Sequence, residues 1–178
     1  AVDYERVIVV ADDGGNFTSV ADAMAAIGTD PDYPAPSADA PYLVWVAPGT
    51  YEGRVEMKPY VDIEGAGQDI TTLRAVAGAG SIAPDAATVV GADNAELRRL
   101  TVEGEAAASG DWNHAIYTNS GTRFREVTAT SSGGSRARAM VVATGGSPLL
   151  VDVALIAAGA SVSALALDLF EATAVADG

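Results

Sequence analysis

The segments His114–Thr118 (HAIYT), Arg138–Val142 (RAMVV) and Ser163–Leu167 (SALAL) decide the fold, because they repeat one short apolar pattern along the chain. The second residue of each is alanine, and these alanines are 24 and 25 positions apart. Ala87–Val90 (ATVV) is an earlier, weaker copy. A repeat of this length with several short strands per unit is typical of a β-solenoid, in which stacked turns bury a face that one turn alone leaves open.

A second strand type recurs between the copies of the first. Leu97–Val102 (LRRLTV), Phe124–Ala129 (FREVTA) and Leu150–Leu155 (LVDVAL) follow one another at intervals of 27 and 26 residues. Glycine-bearing turns separate the strands. A leucine-rich-repeat fold is excluded because its consensus is missing, and a β-propeller is excluded because its blades need a longer period. The sequence therefore predicts an all-β, right-handed parallel β-helix that forms a single domain over residues 1–178.

Residues 1–41 read as an N-terminal cap and residues 42–178 as stacked coils. Thr18 or Ser19 is suited to begin a short helix, which Gly28 ends, and its apolar stripe is Val20, Met24 and Ile27. We expect this helix to cover the first coil. No comparable stripe follows the last strands, so we expect either a chain cut within a longer β-helix or closure of that end by another chain.

Strand alternation predicts which side chains of the first strand type face outward. It places Ile116, Met140 and Leu165 inside as one column. It places a second group outside, and the small or apolar character of that group predicts an interface stripe rather than a reaction cleft. The alternative is that a loop of the same chain covers the stripe. The predicted interface residues are Ala115, Tyr117, Ala139, Val141, Ala164 and Ala166.

The composition excludes several classes of protein. The 178 residues contain no cysteine, which excludes a disulfide scaffold, a zinc–thiolate site and a cysteine nucleophile. The formal net charge of −14 argues against nucleic-acid partners, and no apolar run reaches the length of a membrane span. We expect no cofactor and no metal. The acidic, cysteine-free composition fits an exported bacterial protein, so we expect a secreted or cell-surface location.

Three segments resemble a known family of β-helix enzymes. Val9–Val20 (VVADDGGNFTSV), Pro48–Glu56 (PGTYEGRVE) and Asp62–Thr71 (DIEGAGQDIT) resemble successive motifs of the pectin methylesterases, and the resemblance covers roughly residues 7–130. It implies a right-handed parallel β-helix with an N-terminal capping helix, in agreement with the repeats. It also implies a carbohydrate esterase reaction.

The catalytic motifs of that family are not matched. The family uses two aspartates, glutamines that hold the oxyanion, and an arginine that orients the nucleophile. The corresponding strands here are Asn113–Tyr117, Arg136–Met140 and Ala164–Leu169, and Asp168 is the single acidic residue in them. The mechanism needs one protonated and one charged carboxylate. We therefore assign no catalytic residue, with Asp168 as the only candidate.

Two groups of residues are candidates for ligand binding. Asp111, Trp112, His114 and Tyr117 could bind a sugar, because aromatic faces stack on sugar rings and carboxylates accept hydroxyl hydrogen bonds. The alternative is an ordinary turn with a surface histidine. The second group consists of four arginines in two consecutive turns, which could meet an acidic polysaccharide or simply balance nearby acids. They are Arg123, Arg125, Arg136 and Arg138, and the last two are the candidate ligand-binding members.

These observations favour a non-catalytic, exported or surface-associated β-helix scaffold that self-associates through the outer stripe or the uncapped end. We expect its partner to be a second copy or a further segment of its own chain, with a polysaccharide as a further candidate. Two alternatives remain open. One is a divergent or truncated carbohydrate-active enzyme of pectinesterase or lyase type. The other is a glycan-binding module that uses Trp112, His114 and Tyr117.

Overall fold

The computed structural model describes residues 3–170, which form one α-helix, one 3-10 turn and thirteen β-strands. The elements, in chain order, are β1 (Arg6–Val10), α1 (Val20–Ala26), β2 (Tyr42–Val46), β3 (Gly49–Glu52), β4 (Val55–Glu56), β5 (Val61–Gly65), β6 (Thr71–Ala77), the 3-10 turn (Pro84–Ala86), β7 (Ala87–Val90), β8 (Glu96–Ala106), β9 (Trp112–Thr118), β10 (Arg123–Ser132), β11 (Arg136–Val142), β12 (Leu149–Ala158) and β13 (Ser163–Leu169).

The strands wind around three faces, and every ladder between named strands is parallel. β1, β2, β5 and the first parts of β8, β10 and β12 make the first face. β3, β6 and the second parts of those long strands make the second face. β4, β7, β9, β11 and β13 make the third. The chain is a right-handed parallel β-helix with an N-terminal capping helix, as the repeats predicted.

Each long strand bends at one residue with a left-handed backbone. These residues are Arg99, Glu126 and Asp152, whose φ angles are 57°, 54° and 53°. A non-glycine residue in this region costs about 1–2 kcal/mol, so three in register indicate a corner that the stacked coils hold in place. Across this corner Arg99 Nε lies 3.9 Å from Glu126 Oε2. The exposed pair contributes little to stability.

Apolar side chains stack in columns inside the coils. Leu97 and Phe124 are paired in register and fully buried, as are Leu100 and Val127 on the next face. Burial of such side chains contributes about 1.5–3 kcal/mol each. The first column continues to Leu150, where nothing among the described residues stacks on it, and the side chain is 37% exposed.

Helix α1 covers the first coil. Ser19 is its N-cap, and the Ser19 hydroxyl accepts a hydrogen bond from the Asp22 backbone N–H at 3.2 Å. The stripe of Val20, Met24 and Ile27 is buried in the core, and the helix packs against β1, β2 and β4. The predicted cap helix is therefore confirmed. Within residues 3–170, no helix is long and apolar enough to cross a membrane.

The predicted register of the last strand is wrong by two residues. Met140 pairs with Ile116 as expected, but on its other side it pairs with Leu167, whereas Leu165 pairs with Arg138. The interval to the last copy is therefore 27 residues rather than 25. The alanine of SALAL suggested the shorter interval, but the longer one aligns the apolar columns.

The outer stripe is wrong for three of its six members. Ala115, Ala139 and Val141 are fully buried, and the two alanines belong to the hydrophobic core together with Ile116 and Met140. Strict alternation fails here because consecutive residues of one strand both pack into the core. Tyr117 is half-buried. Of the predicted interface residues only Ala164 and Ala166, both in β13, are exposed.

Candidate functional site

Two regions are candidates for function: the outer side of the third face, and the last coil. On the third face, β9, β11 and β13 lie side by side. Their register places Arg136 beside Trp112 and Arg138 beside His114. One coil further, Asp168 lies beside Val141. The structure thus brings most of the predicted ligand-binding residues onto neighbouring strands.

The ring of Trp112 already contacts two arginine side chains of the same chain. The Arg136 and Arg138 guanidinium carbons lie 4.3 Å and 4.6 Å from the centre of the ring. Such cation–π contacts are worth about 0.5–1 kcal/mol at exposed sites and more when desolvated. A sugar that stacks on the same surface has to displace an arginine, which weakens the prediction of a sugar platform at Trp112.

The only candidate for catalysis, Asp168, is held by an arginine. Arg138 is buried, and its Nε donates a hydrogen bond to Asp168 Oδ2. Trp112 pairs with Arg136, which in turn pairs with Ser163, so these three residues lie at the same position along their strands. Asp111 comes just before that position, whereas Asp168 lies five residues beyond it. That offset is about 17 Å along the strands, so Asp111 and Asp168 do not converge on one bond. Asp111 and Asp168 therefore do not form an acid–nucleophile pair.

The side chain of His114 is buried inside the protein. It is fully buried, and neither ring nitrogen has a hydrogen-bond partner in the structure. The pKa of His114 is lowered to about 4, chiefly by burial and also by the positive charge of Arg138, whereas the Asn113 backbone and the charge of Asp168 act in the opposite direction. The imidazole is therefore neutral near pH 7. Both earlier readings, a sugar contact and a surface histidine, are wrong, because each needs an exposed ring.

A loop of the same chain reaches the start of β9. Ala79 pairs with Trp112 in an antiparallel bridge, with N···O distances of 3.1 Å and 2.8 Å. Asp111 serves the neighbouring turn, because its carbonyl accepts the Ser135 N–H at 2.7 Å. The sequence did not place this bridge, since Ala79 lies in a glycine-rich segment with no strand pattern.

The strongest polar cluster was missed by the sequence. Arg98 is buried on the first face, and its guanidinium nitrogens lie 3.5 Å from Asp62, 2.7 Å from Glu64 and 3.6 Å from Glu96. Desolvation opposes the charge of Arg98, yet its hydrogen bonds with Tyr4 and Glu64 raise its pKa above the ordinary value. Burial likewise opposes the charge of Glu64, but the two arginines Arg98 and Arg99 lower its pKa.

This cluster is a structural network rather than an open site. Asp62 accepts hydrogen bonds from the Tyr4 hydroxyl at 2.6 Å and from the Glu96 backbone N–H at 2.8 Å. A groove of about 330 Å³, lined in part by Tyr60, Asp62 and Arg123, runs beside it and away from Asp168. Among the described residues no group of three or more acidic or histidine side chains could hold a metal ion.

The last coil exposes an apolar surface. Of the twelve large apolar side chains that are exposed in residues 3–170, nine belong to it. We call them the terminal-coil surface: Leu149, Leu150, Val151, Ile156, Val162, Leu165, Leu167, Leu169 and Phe170. Between Ala143 and Phe170 the only ionisable residues are Asp152 and Asp168. An apolar patch of this kind marks an interaction site more often than a reaction cleft.

The comparisons with known proteins bear on the fold. No protein-family model and no curated protein matches the sequence. Among solved structures, the chain is similar to a mutant pectin methylesterase in complex with hexasaccharide IV (TM-score 0.58, 18% identity, 86% of this chain and 49% of that one). It is also similar to pectin methylesterase PemA from Erwinia chrysanthemi (0.56, 19%, 81% and 50%). A third match is pectin methylesterase from carrot (0.52, 14%, 89% and 65%).

These matches establish a pectin methylesterase-like β-helix fold. The chain spans about half the length of the first two enzymes. At such low identity the likeness concerns the fold alone.

Proposed function

We propose that this chain is a non-catalytic β-helix scaffold, exported or surface-associated, that self-associates through the terminal-coil surface. The observation that carries the proposal is the exposure of that surface. Leu150 and Leu167 stand in the same columns as fully buried residues of the preceding coils, yet they are 37% and 42% exposed. Covering such side chains is the main driving force of most protein association.

The third face supports the non-catalytic part of the proposal. The solved relatives by fold are pectin methylesterases, one of them in complex with a hexasaccharide. Here Asp168 is bound to Arg138, His114 is buried, and the ring of Trp112 is covered by two arginines. Within residues 3–170, none of these groups forms a pair of carboxylates able to act as acid and nucleophile.

The catalytic question is tested by methanol release from methylated pectin. We expect the chain to release no more methanol than its Asp168→Asn variant, with an authentic pectin methylesterase as positive control. Release that depends on Asp168 would contradict the non-catalytic proposal.

Association is tested by sedimentation velocity over a range of protein concentrations. We expect the average mass of the chain to rise with concentration and the Leu167→Asp variant to stay at 17.9 kDa, because an aspartate in the terminal-coil surface must be desolvated on contact. Val76→Asp is the matched control, since Val76 is exposed on β6 outside that surface. A native chain that remains monomeric at all concentrations would overturn the proposal.

A further inference from the structure

We infer that Asn16 is an acceptor for N-linked glycosylation, which attaches an oligosaccharide to the turn between β1 and α1. The inference rests on the exported or surface-associated location in the proposed function, because this modification marks surface loops of secreted proteins. It adds a modification site at the covered end of the β-helix, opposite the terminal-coil surface.

The sequence of this turn contains the acceptor motif. Asn16, Phe17 and Thr18 match the pattern of asparagine, any residue except proline, and then serine or threonine. The chain has four asparagines, and none of the other three is followed two positions later by serine or threonine. Such a short motif also arises by chance, so the geometry of the turn decides whether a transferase can use it.

The side-chain amide of Asn16 is exposed and its orientation is fixed. Its Oδ1 accepts a hydrogen bond from the Val9 N–H at 2.8 Å, and its own backbone N–H donates to the Val9 carbonyl at 2.7 Å. Because the Val9 N–H is a donor, the atom that meets it is the amide oxygen and Nδ2 is the other atom. Within residues 3–170, Nδ2 has no hydrogen-bond partner. The nitrogen can therefore carry a sugar while Oδ1 keeps its contact.

The other two residues of the motif are placed to match. Thr18 is exposed, and the N-cap of α1 is Ser19, so the fold does not use the Thr18 hydroxyl to begin the helix. Phe17 anchors the turn instead. It forms a bridge with Val10, and its ring centroid lies 5.4 Å from that of Tyr33. The two residues that define the motif are thus accessible, while the residue between them holds the turn in place.

The modification requires a lipid-linked oligosaccharide pyrophosphate as donor and an oligosaccharyltransferase. Asn16 Nδ2 forms a bond to the anomeric carbon of the donor, the bond from that carbon to the pyrophosphate oxygen breaks, and the lipid pyrophosphate leaves. The amide proton passes to a base of the transferase. The product keeps the amide oxygen that binds the Val9 N–H.

The position of Asn16 gives the glycan a physical role. β1 is the first strand of its sheet, and β2 is its only strand neighbour among the described residues. On its other side lie Asn16 and Phe17 of the turn. An open strand edge is a site of unwanted pairing with other chains, and a bulky hydrophilic glycan beside it obstructs that pairing.

Secretion of the chain from a eukaryotic host, directed by a cleavable signal peptide, tests the site. We expect the secreted chain to exceed 17.9 kDa by the mass of one glycan, and peptide N-glycosidase to remove the increase and leave aspartate at position 16. Asn16→Asp is the matched control, because it keeps an oxygen for the Val9 N–H but has no amide nitrogen. Thr18→Ala removes the hydroxyl from the motif, and both variants are expected to be secreted unmodified.

Two outcomes overturn the inference: a native chain secreted without a glycan, or a mass increase that persists in Asn16→Asp. Because the signal peptide imposes export, neither outcome bears on the proposed function. Sedimentation of the glycosylated and deglycosylated chains tests that function separately. Since the glycan lies at the covered end, both forms are expected to associate equally. If the glycan abolishes association, the proposed contact through the terminal-coil surface is wrong and the modification site stands.

Discussion

The two ends of this β-helix differ in how the apolar side chains of the terminal coil are covered. The first coil is covered by α1, a seven-residue helix that buries Val20 and Met24. The last coil presents Leu150 and Leu167, with no further element of the described chain over them. A solenoid coil buries its apolar side chains against the next layer, and within residues 3–170 such a layer is present over the first coil but not over the last. This difference is the basis of the proposed association through the terminal-coil surface.

The largest effect is expected from one substitution made at two levels of the same column. Leu97 and Leu150 are both neighbours of Phe124 in the ladder. Leu97→Ala is expected to lower the free energy of unfolding by about 3–5 kcal/mol, because Leu97 is fully buried and the change leaves a cavity. Leu150→Ala should cost about 1–2 kcal/mol in the monomer, since its side chain already contacts solvent.

Urea unfolding measured at several protein concentrations separates the two variants. The cost of Leu150→Ala should increase at concentrations where the native chain associates, whereas the cost of Leu97→Ala should not. Equal costs at low concentration would show that the last coil is already covered, and would remove the basis of the comparison.

The middle coils also differ from the last coil in their response to acid. His114, Arg138 and Leu165 occupy the same position in three successive coils. His114 is fully buried, whereas Leu165 in the last coil is exposed. The pKa of His114 is lowered to about 4 in the folded state, compared with about 6.5 in an unfolded chain. As pH falls from 6.5 to 4, the unfolded state binds a proton that the folded state does not. Folding stability therefore decreases over this window, by up to about 3 kcal/mol.

Urea unfolding at several pH values measures this effect. The native chain should lose stability between pH 6.5 and 4.5, and His114→Gln should be flatter there. Below that range both proteins should weaken, because the lowered pKa of Glu64 contributes stability that is lost as this carboxylate is protonated. If the two curves are parallel from pH 6.5 to 4.5, then His114 titrates normally and is not sealed.

The repeats predicted the fold because the burial of apolar side chains in a β-helix follows a local pattern that recurs in each coil. Apolar residues recur at each coil, and the stripe of Val20, Met24 and Ile27 is an ordinary amphipathic helix. The errors arose where a local rule did not hold. Alternation misplaced Ala115, because it and Ile116 both enter the core.

The left-handed corner and the ion network were beyond local rules. Glu126 adopts a positive φ that its residue type gives no reason to expect. Arg98 binds Glu64, which lies 34 residues earlier in the chain, so their contact depends on the register of two coils. The same limit applies to the candidate site on the third face, where His114 is buried and two arginines lie over the ring of Trp112. The spacing placed His114 and Trp112 on one strand but gave no information about what covers them.

The smallest effect concerns the covered end, where the sequence left two candidates for the N-cap of α1. The structure selects Ser19, whose hydroxyl accepts the Asp22 N–H. Ser19→Ala should lower stability by about 1 kcal/mol, because an N–H at the helix start loses its acceptor, whereas Thr18→Ala should have little effect. Thermal unfolding of the two variants measures the difference. Because α1 covers the first coil, Ser19→Ala should leave the proposed self-association unchanged while lowering the melting temperature. A loss of association in Ser19→Ala would show that the covered end contributes to the contact, and that the two ends are not as distinct as their side chains indicate.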